Sequence, residues 1–153
     1  MAFIYETDHF EVTSCEKPFI SRHDGGHIQI AAKTDIDDRT KLSPKQAVEF
    51  MRLTMLVGGA FQIAMNGRGI PVVQVDYENF AGYDARLHMH LLGRAVRAGQ
   101  QAAPKSMYFS LGEAGVYNNS EPLNEMDVQA IQNQIRLFEQ TEKYKAENWE
   151  LKR

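Results

Sequence analysis

The segment 86–94, with the sequence RLHMHLLGR, is the part of the chain whose residue types and spacing point to chemistry. In a β-strand, residues two apart point to the same face, so Arg86, His88 and His90 are predicted to share one side. The alternate apolar residues are predicted to form the buried side: Leu87, Met89 and Leu91. Two imidazoles and a guanidinium in a row make a poor core and a good anion-binding site.

Two other interpretations of this segment stay open from the spacing alone. One is a solvated strand face with scattered basic residues, which needs no ligand. The other is a metal site, because a His-x-His pair on a strand can supply two ligands. A metal site needs at least a third ligand, and no histidine, cysteine or carboxylate lies at ligand spacing near His88 and His90 in the sequence.

The rest of the chain predicts the strands that position this segment. Apolar and β-branched residues in alternation predict short strands at residues 4–5, 10–12, 27–31, 72–77 and 86–92. Loops are predicted at residues 18–26 and 79–84. Short links between neighbouring strands favour antiparallel pairing over a repeated β-α-β arrangement.

Two helices are predicted as well. Ser43, Pro44 and Gln46 form a helix-capping signal, and the amphipathic helix that follows is predicted to end at the turn 66–69. A second helix is predicted at residues 124–145, with a stripe of Val128, Ile131, Ile135 and Phe138. The order of elements predicts an α+β fold in which one long helix lies against an antiparallel sheet and a C-terminal helix follows.

Length and composition exclude several classes of protein. The chain has 153 residues, which predicts one domain, and 43% apolar with 24% charged residues is ordinary for a globular protein. A net charge of −3 lacks the excess of positive charge that is typical of nucleic-acid-binding proteins. Cys15 has no partner for an internal disulfide, and neither a secretory pattern nor a membrane-spanning segment is evident. The sequence therefore predicts a cytoplasmic protein without a membrane or nucleic-acid partner.

The segment 86–94 resembles the signature of the histidine-triad (HIT) family of nucleotide hydrolases and transferases, which is His-φ-His-φ-His-φ-φ with φ apolar. Arg86 stands at the first histidine, His88 at the second and His90 at the third. Upstream, residues 26–33 (GHIQIAAK) resemble the family's Gly-His-φ-x-φ-x-Pro-Lys strand. The segments 4–9, 16–18 and 38–44 resemble its opening hairpin, its Asp-Lys-Pro turn and its link into the long helix. The similarity therefore runs from about residue 3 to residue 94.

This resemblance implies the catalytic residues. His88 matches the nucleophile, and His90 matches the third histidine, which contacts phosphate. Arg86 is expected to bind phosphate with its fixed charge. Ahead of the triad, residues 82–85 (GYDA) are one residue shorter than the family's Gly-Gln-Ser/Thr-Val and lack its hydroxyl donor.

The resemblance also implies residues that bind the nucleotide. Glu16 matches the aspartate that holds the ribose hydroxyls. His27 follows the glycine of the nucleotide-side strand, where it serves either as a ligand contact or as a structural histidine. Asp76 or Tyr77 falls near the family's asparagine that contacts phosphate. No metal and no cofactor are implied.

The activity implied is attack of a neutral His88 on the α-phosphorus of a purine nucleotide or dinucleotide derivative, followed by hydrolysis of a nucleotidyl-histidine. The alternative is a nucleotide-binding module with little turnover, and a third reading is an interaction protein that acts through its C-terminal helix. Residues 1–110 are expected to form the HIT-like domain and residues 111–153 its helical extension. A homodimer through the long helix and an adjoining strand is also implied.

Overall fold

The computed structural model describes residues 1–79, 86–107 and 119–151. Within these ranges the chain forms one antiparallel five-stranded sheet in the order β1-β2-β3-β5-β4. The strands are β1 (Phe3–Glu6), β2 (Phe10–Ser14), β3 (His27–Ala32), β4 (Val72–Glu78) and β5 (His88–Ala95). The helices are α1 (Pro44–Gly67) and α2 (Glu125–Glu139), and short 3-10 turns lie at Arg22–Asp24, Arg39–Lys41 and Ala146–Trp149. The predicted α+β class is confirmed.

Helix α1 begins and ends where the sequence signals lie. The Ser43 hydroxyl accepts from the Gln46 backbone N–H at 3.1 Å, and the Gln46 side chain accepts from the Ser43 N–H at 2.9 Å. This capping box satisfies two of the N–H groups that a helix start leaves without partners. At the other end, Gly69 adopts a φ of +84°, a conformation that glycine reaches without a Cβ clash.

The hydrophobic core lies between the sheet and the two helices. Helix α1 contributes Leu53, Leu56 and Val57, and each of them is 0% exposed. They are buried because the sheet covers α1 on one side and α2 covers it on another. The α2 stripe is also core: Ile131 and Ile135 are fully buried. That stripe therefore offers no surface to an interaction partner.

Several predicted boundaries differ from the structure by one to six residues, and two of the differences have an identifiable cause. Strand β5 begins at His88, two residues later than predicted, because Leu87 bonds through its N–H to the Ile36 carbonyl and leaves Arg86 outside the ladder. Helix α2 ends at Glu139 instead of residue 145, because the chain turns so that the Tyr144 carbonyl meets the buried Arg52 guanidinium at 2.6 and 2.9 Å.

Helix α1 has the length and composition of a membrane span, with a mean hydropathy of 1.2. However, 67% of its apolar window is buried inside the protein, as in the core helix of a globular domain. The predicted loop at residues 79–84, apart from Asn79, and the predicted boundary at residues 110–111 lie outside the described residues.

Candidate active site

His88 lies at the start of β5 on the sheet face opposite α1. Its neighbours Leu87 and Met89 belong to the hydrophobic core, whereas His88 itself is half-buried on the other face, as the alternation predicts. The His88 Nδ1 atom lies 3.0 Å from the Arg86 carbonyl oxygen. A carbonyl can only accept a hydrogen bond, so Nδ1 carries the proton in neutral His88. The lone pair of His88 is therefore on Nε2.

His90 is buried and belongs to a chain of hydrogen bonds that sets its tautomer. The Phe19 backbone N–H donates to His27 Nδ1 at 3.0 Å, so the proton of neutral His27 is on Nε2. His27 Nε2 lies 2.8 Å from His90 Nδ1 and donates to it. Neutral His90 therefore carries its proton on Nε2 and presents a hydrogen-bond donor. Its ring meets the His88 ring edge-on, with centroids 5.0 Å apart.

Burial keeps both of these histidines neutral. Burial, and secondarily the nearby charge of His90, lowers the pKa of His27 to about 3. Burial, and secondarily the charge of His88, lowers the pKa of His90 to about 4. Both imidazoles are therefore uncharged at neutral pH, which preserves the tautomers that the hydrogen bonds require.

Glycines bring the loop that carries Phe19 onto β5. A Cβ on Gly25 would lie 1.9 Å from the Gly93 carbonyl oxygen, so a residue with a side chain at position 25 would push the loop away from β5. The Gly93 N–H donates to the Gly26 carbonyl at 3.0 Å. This close approach lets the Phe19 ring pack on His27 and His90, with centroids 4.9 and 5.2 Å apart.

The structure places Arg86 at the rim of the site instead of in a row with the histidines. Its side chain is 57% exposed, and its Nε lies 4.0 Å from an Asp35 carboxylate that is 96% exposed. A pair this exposed holds the guanidinium only weakly. Two other carboxylates near Arg86 in the sequence are Asp84, which lies outside the described residues, and Glu78, which forms no ion pair with Arg86 among the described contacts.

The predicted nucleotide-binding residues lie in different settings. Glu16 follows β2, its side chain is 79% exposed, and a carboxylate oxygen lies 4.0 Å from the N-terminal amine. Asp76 forms an ion pair with Arg94, a guanidinium that is 2% exposed and also bonds the Gln101 and Ala102 carbonyls. His27 lies between Phe19 and His90, and both of its ring nitrogens form hydrogen bonds with these two residues.

Sequence reasoning missed Asn79. Its Nδ2 donates to the His88 carbonyl at 2.6 Å, and its Oδ1 accepts from Arg39 at 3.1 Å. Asn79 thus ties the end of β4 to the strand segment that carries His88. Its position at the start of the predicted loop 79–84 is the one signal that could have drawn attention to it.

Cys15, His27 and His90 form a cluster that could hold a metal ion, since their ligand atoms lie within 4.8 Å of one another. The sequence did not reveal Cys15 as the third member, because it lies far from the histidine segment along the chain. However, His27 accepts the Phe19 N–H on Nδ1 and so has its proton on Nε2. Binding a metal through Nε2 would need that proton to leave and the Phe19 bond to break. The cluster fits a hydrogen-bonded chain better than a metal site.

Comparison with known proteins identifies the fold. No family model matches the sequence, and no curated protein matches it. Among solved structures, a histidine triad protein from Bradyrhizobium japonicum superposes with a TM-score of 0.61 at 12% identity, over 88% of this chain and 87% of that one. A histidine triad (HIT) protein from Sinorhizobium meliloti gives 0.61 at 14% identity, over 89% and 87%. A hypothetical histidine triad nucleotide-binding protein from Sulfolobus tokodaii gives 0.53 at 15% identity, over 89% and 81%. The chain has the histidine-triad fold.

Proposed function

We propose that the protein is a nucleotide hydrolase or nucleotidyl transferase that works through a covalent intermediate on His88. The observation that carries this proposal is the bond from His88 Nδ1 to the Arg86 carbonyl, which leaves a lone pair on Nε2. The fold shared with histidine-triad proteins, one of which is named nucleotide-binding, supports the choice of a nucleotide as substrate.

In this mechanism His88 Nε2 attacks the α-phosphorus, and the leaving group departs with the electron pair of its bond to phosphorus. Positive charge that develops on the imidazole strengthens the bond from Nδ1–H to the Arg86 carbonyl. The Nε2–H group of His90 donates a hydrogen bond to a phosphoryl oxygen or to the leaving group. Water then attacks the phosphorus, and the bond from phosphorus to Nε2 breaks with its electron pair returning to Nε2. One proton of the water passes to solvent, which leaves the free nucleotide and neutral His88.

His27 has a positioning role in this proposal. Both of its ring nitrogens are engaged inside the protein, so it acts on the substrate only through His90. Glu16 is the group that we assign to the sugar hydroxyls, since its exposed carboxylate can accept from them. The assignment of Asp76 to the nucleotide stays a prediction, because Arg94 engages its carboxylate.

The experiment that tests the proposal is intact-mass spectrometry after brief mixing with adenosine phosphoramidate or a dinucleoside polyphosphate. A species heavier by one nucleotidyl group, mapped to His88, supports the covalent route. The second candidate is a nucleotide-binding module with little turnover, which the arginine at the first triad position favours. Binding of AMP without an adduct and without product release would establish that second candidate.

Replacing Arg86 with alanine is expected to weaken AMP binding by about 1.5–3 kcal/mol, the range for hydrogen bonds to charged groups. Among the described residues the exposed Asp35 is the one ion-pair partner of the guanidinium, and such an exposed pair gives way to a phosphate at small cost. Isothermal titration measures the change. Arg97→Ala is the control, because Arg97 is an exposed arginine beyond the end of β5. Equal dissociation constants for Arg86→Ala and the wild type would make the guanidinium structural.

A homodimer is the assembly that we propose. The surface that we propose for the interface is an apolar patch of exposed or half-buried side chains, with Val48, Met51 and Met55 on α1 and Val73 and Tyr77 on β4. The two elements meet where the Tyr77 hydroxyl packs against Gly58. Strand β4 is an edge strand without lysine or proline to block pairing. An antiparallel edge of this kind can pair with its own copy around a two-fold axis.

Light scattering is expected to give twice the chain mass of 17.4 kDa at micromolar concentration. Met51→Asp is expected to give the monomer mass, because it places a charge in the patch. The matched control is Met126→Asp, since Met126 is 61% exposed on α2 and Met51 is 56% exposed. A wild-type mass of one chain would contradict the dimer.

A cytoplasmic location and the lack of membrane and nucleic-acid partners stay predictions.

A further inference from the structure

Gln29 is a polar residue in the middle of the sheet face that carries the histidines. In the strand register it lies directly opposite His90 on β5 and opposite Thr13 on β2. It is half-buried, between two core residues of β3, Ile28 and Ile30, that are both 0% exposed and face the helices. A central strand position of this kind is suited to a β-branched or apolar side chain, so strand stability does not explain an amide there.

The Gln29 amide has hydrogen-bonding capacity that the protein leaves largely unused. Its Oε1 has only a weak contact with the Cys15 thiol, with Sγ 3.9 Å away. In the described parts of the chain, no hydrogen bond from its Nε2 group to an acceptor is found. An amide nitrogen provides two N–H donors. Gln29 can therefore donate to a ligand without breaking an internal bond.

Gln29 also lies between the two ends of the proposed nucleotide site. His88 is opposite Ala31, so Gln29 is its diagonal neighbour, at about 7–8 Å. On its other side Gln29 contacts Cys15, and Glu16 is the next residue along the chain. A nucleotide with its phosphorus at His88 and its sugar hydroxyls toward Glu16 would pass over Gln29. The separation of about 7–8 Å between His88 and Gln29 is one that a ribose can span.

We propose that Gln29 donates a hydrogen bond from Nε2 to the 2′- or 3′-hydroxyl of the sugar and makes the site select ribonucleotides. This inference rests on the proposed function, because it takes His88 as the phosphate end of the site. Gln29→Met is the test variant, since methionine keeps the length of the side chain and removes both hydrogen-bonding groups. The matched control is Gln129→Met, an exposed glutamine on α2.

Isothermal titration with AMP, 2′-deoxy-AMP and 3′-deoxy-AMP measures the effect. For the wild type we expect one of the two deoxy analogues to bind about 3- to 10-fold more weakly than AMP. Gln29→Met should bind AMP more weakly and should distinguish that analogue less strongly than the wild type does, since the Glu16 carboxylate still accepts from the sugar hydroxyls. Gln129→Met should behave as the wild type, and thermal melting shows whether each variant is folded.

Two results would overturn the assignment. One is an unchanged AMP dissociation constant for folded Gln29→Met. The other is an equal loss of affinity for AMP and both analogues with the preference intact, which would place the amide against the base. Neither of these two results contradicts the proposed function if the wild type still forms the adduct on His88. Lack of AMP binding by the wild type overturns the proposed function together with this assignment.

Discussion

Replacing His88 with alanine is expected to abolish nucleotide release while leaving nucleotide binding nearly intact. The bond from His88 Nδ1 to the Arg86 carbonyl leaves a lone pair on Nε2, and a covalent route has no substitute for its nucleophile. We expect turnover to fall by about three orders of magnitude or more. Binding should persist because Arg86, Glu16 and His90 remain. Initial rates with adenosine phosphoramidate and titration with AMP check the two parts.

His23→Ala is the matched control for this variant. His23 is a histidine with a 59% exposed side chain that pairs with Glu121 at the surface, so turnover should stay as in the wild type. Activity of His88→Ala within a few-fold of the wild type would contradict the covalent route. The protein would then act through another site.

Replacing Asp127 with alanine is expected to lower the free energy of unfolding by about 3 kcal/mol, since it breaks a buried ion pair. The Asp127 side chain is 0% exposed and bonds Arg22 at 2.6 and 3.0 Å and Arg68 at 2.9 Å. It also completes the capping box of α2 by accepting from the Asn124 N–H. The variant leaves two guanidiniums without their carboxylate. Urea denaturation followed by circular dichroism measures the loss.

The same contact predicts a pH dependence. Burial alone would raise the pKa of Asp127, but the hydrogen bonds from Arg22 and Arg68 outweigh it and lower the pKa below 3.8. The stabilisation is therefore complete above the ordinary pKa and is lost as the pH falls through the lowered value. Asp37→Ala, which removes an exposed pair with Lys41, should leave stability nearly unchanged. Equal midpoints for Asp127→Ala and the wild type would contradict a structural role.

Local sequence patterns were enough to predict most elements of the fold. Ser43 and Gln46 lie three residues apart, so the helix start depends on contacts within a single turn. The alternation of Leu87, Met89 and Leu91 with the histidines depends only on the two-residue period of a strand. Such signals involve only residues that are close together in the sequence, so they can be recognised without the tertiary structure. The structure places both features as predicted.

The partners of the site residues depended on contacts that no local pattern contains. His27 bonds His90 across 63 positions of sequence, because the register of β3 with β5 and the approach of Gly25 to Gly93 bring them together. The exclusion of Arg86 from the strand followed from the Leu87 bond to Ile36, again between distant segments.

The sequence by itself therefore determined which residue types stand two apart on one strand face, and with them His88 and His90 as candidates. Only the tertiary structure decided that His88 carries its lone pair on Nε2, that burial keeps His90 neutral while His27 sets its tautomer, and that Asn79 contacts the His88 strand. The physical reason is that tautomers and pKa values follow from hydrogen-bond partners and burial, which arise when loops and strands far apart in sequence pack together.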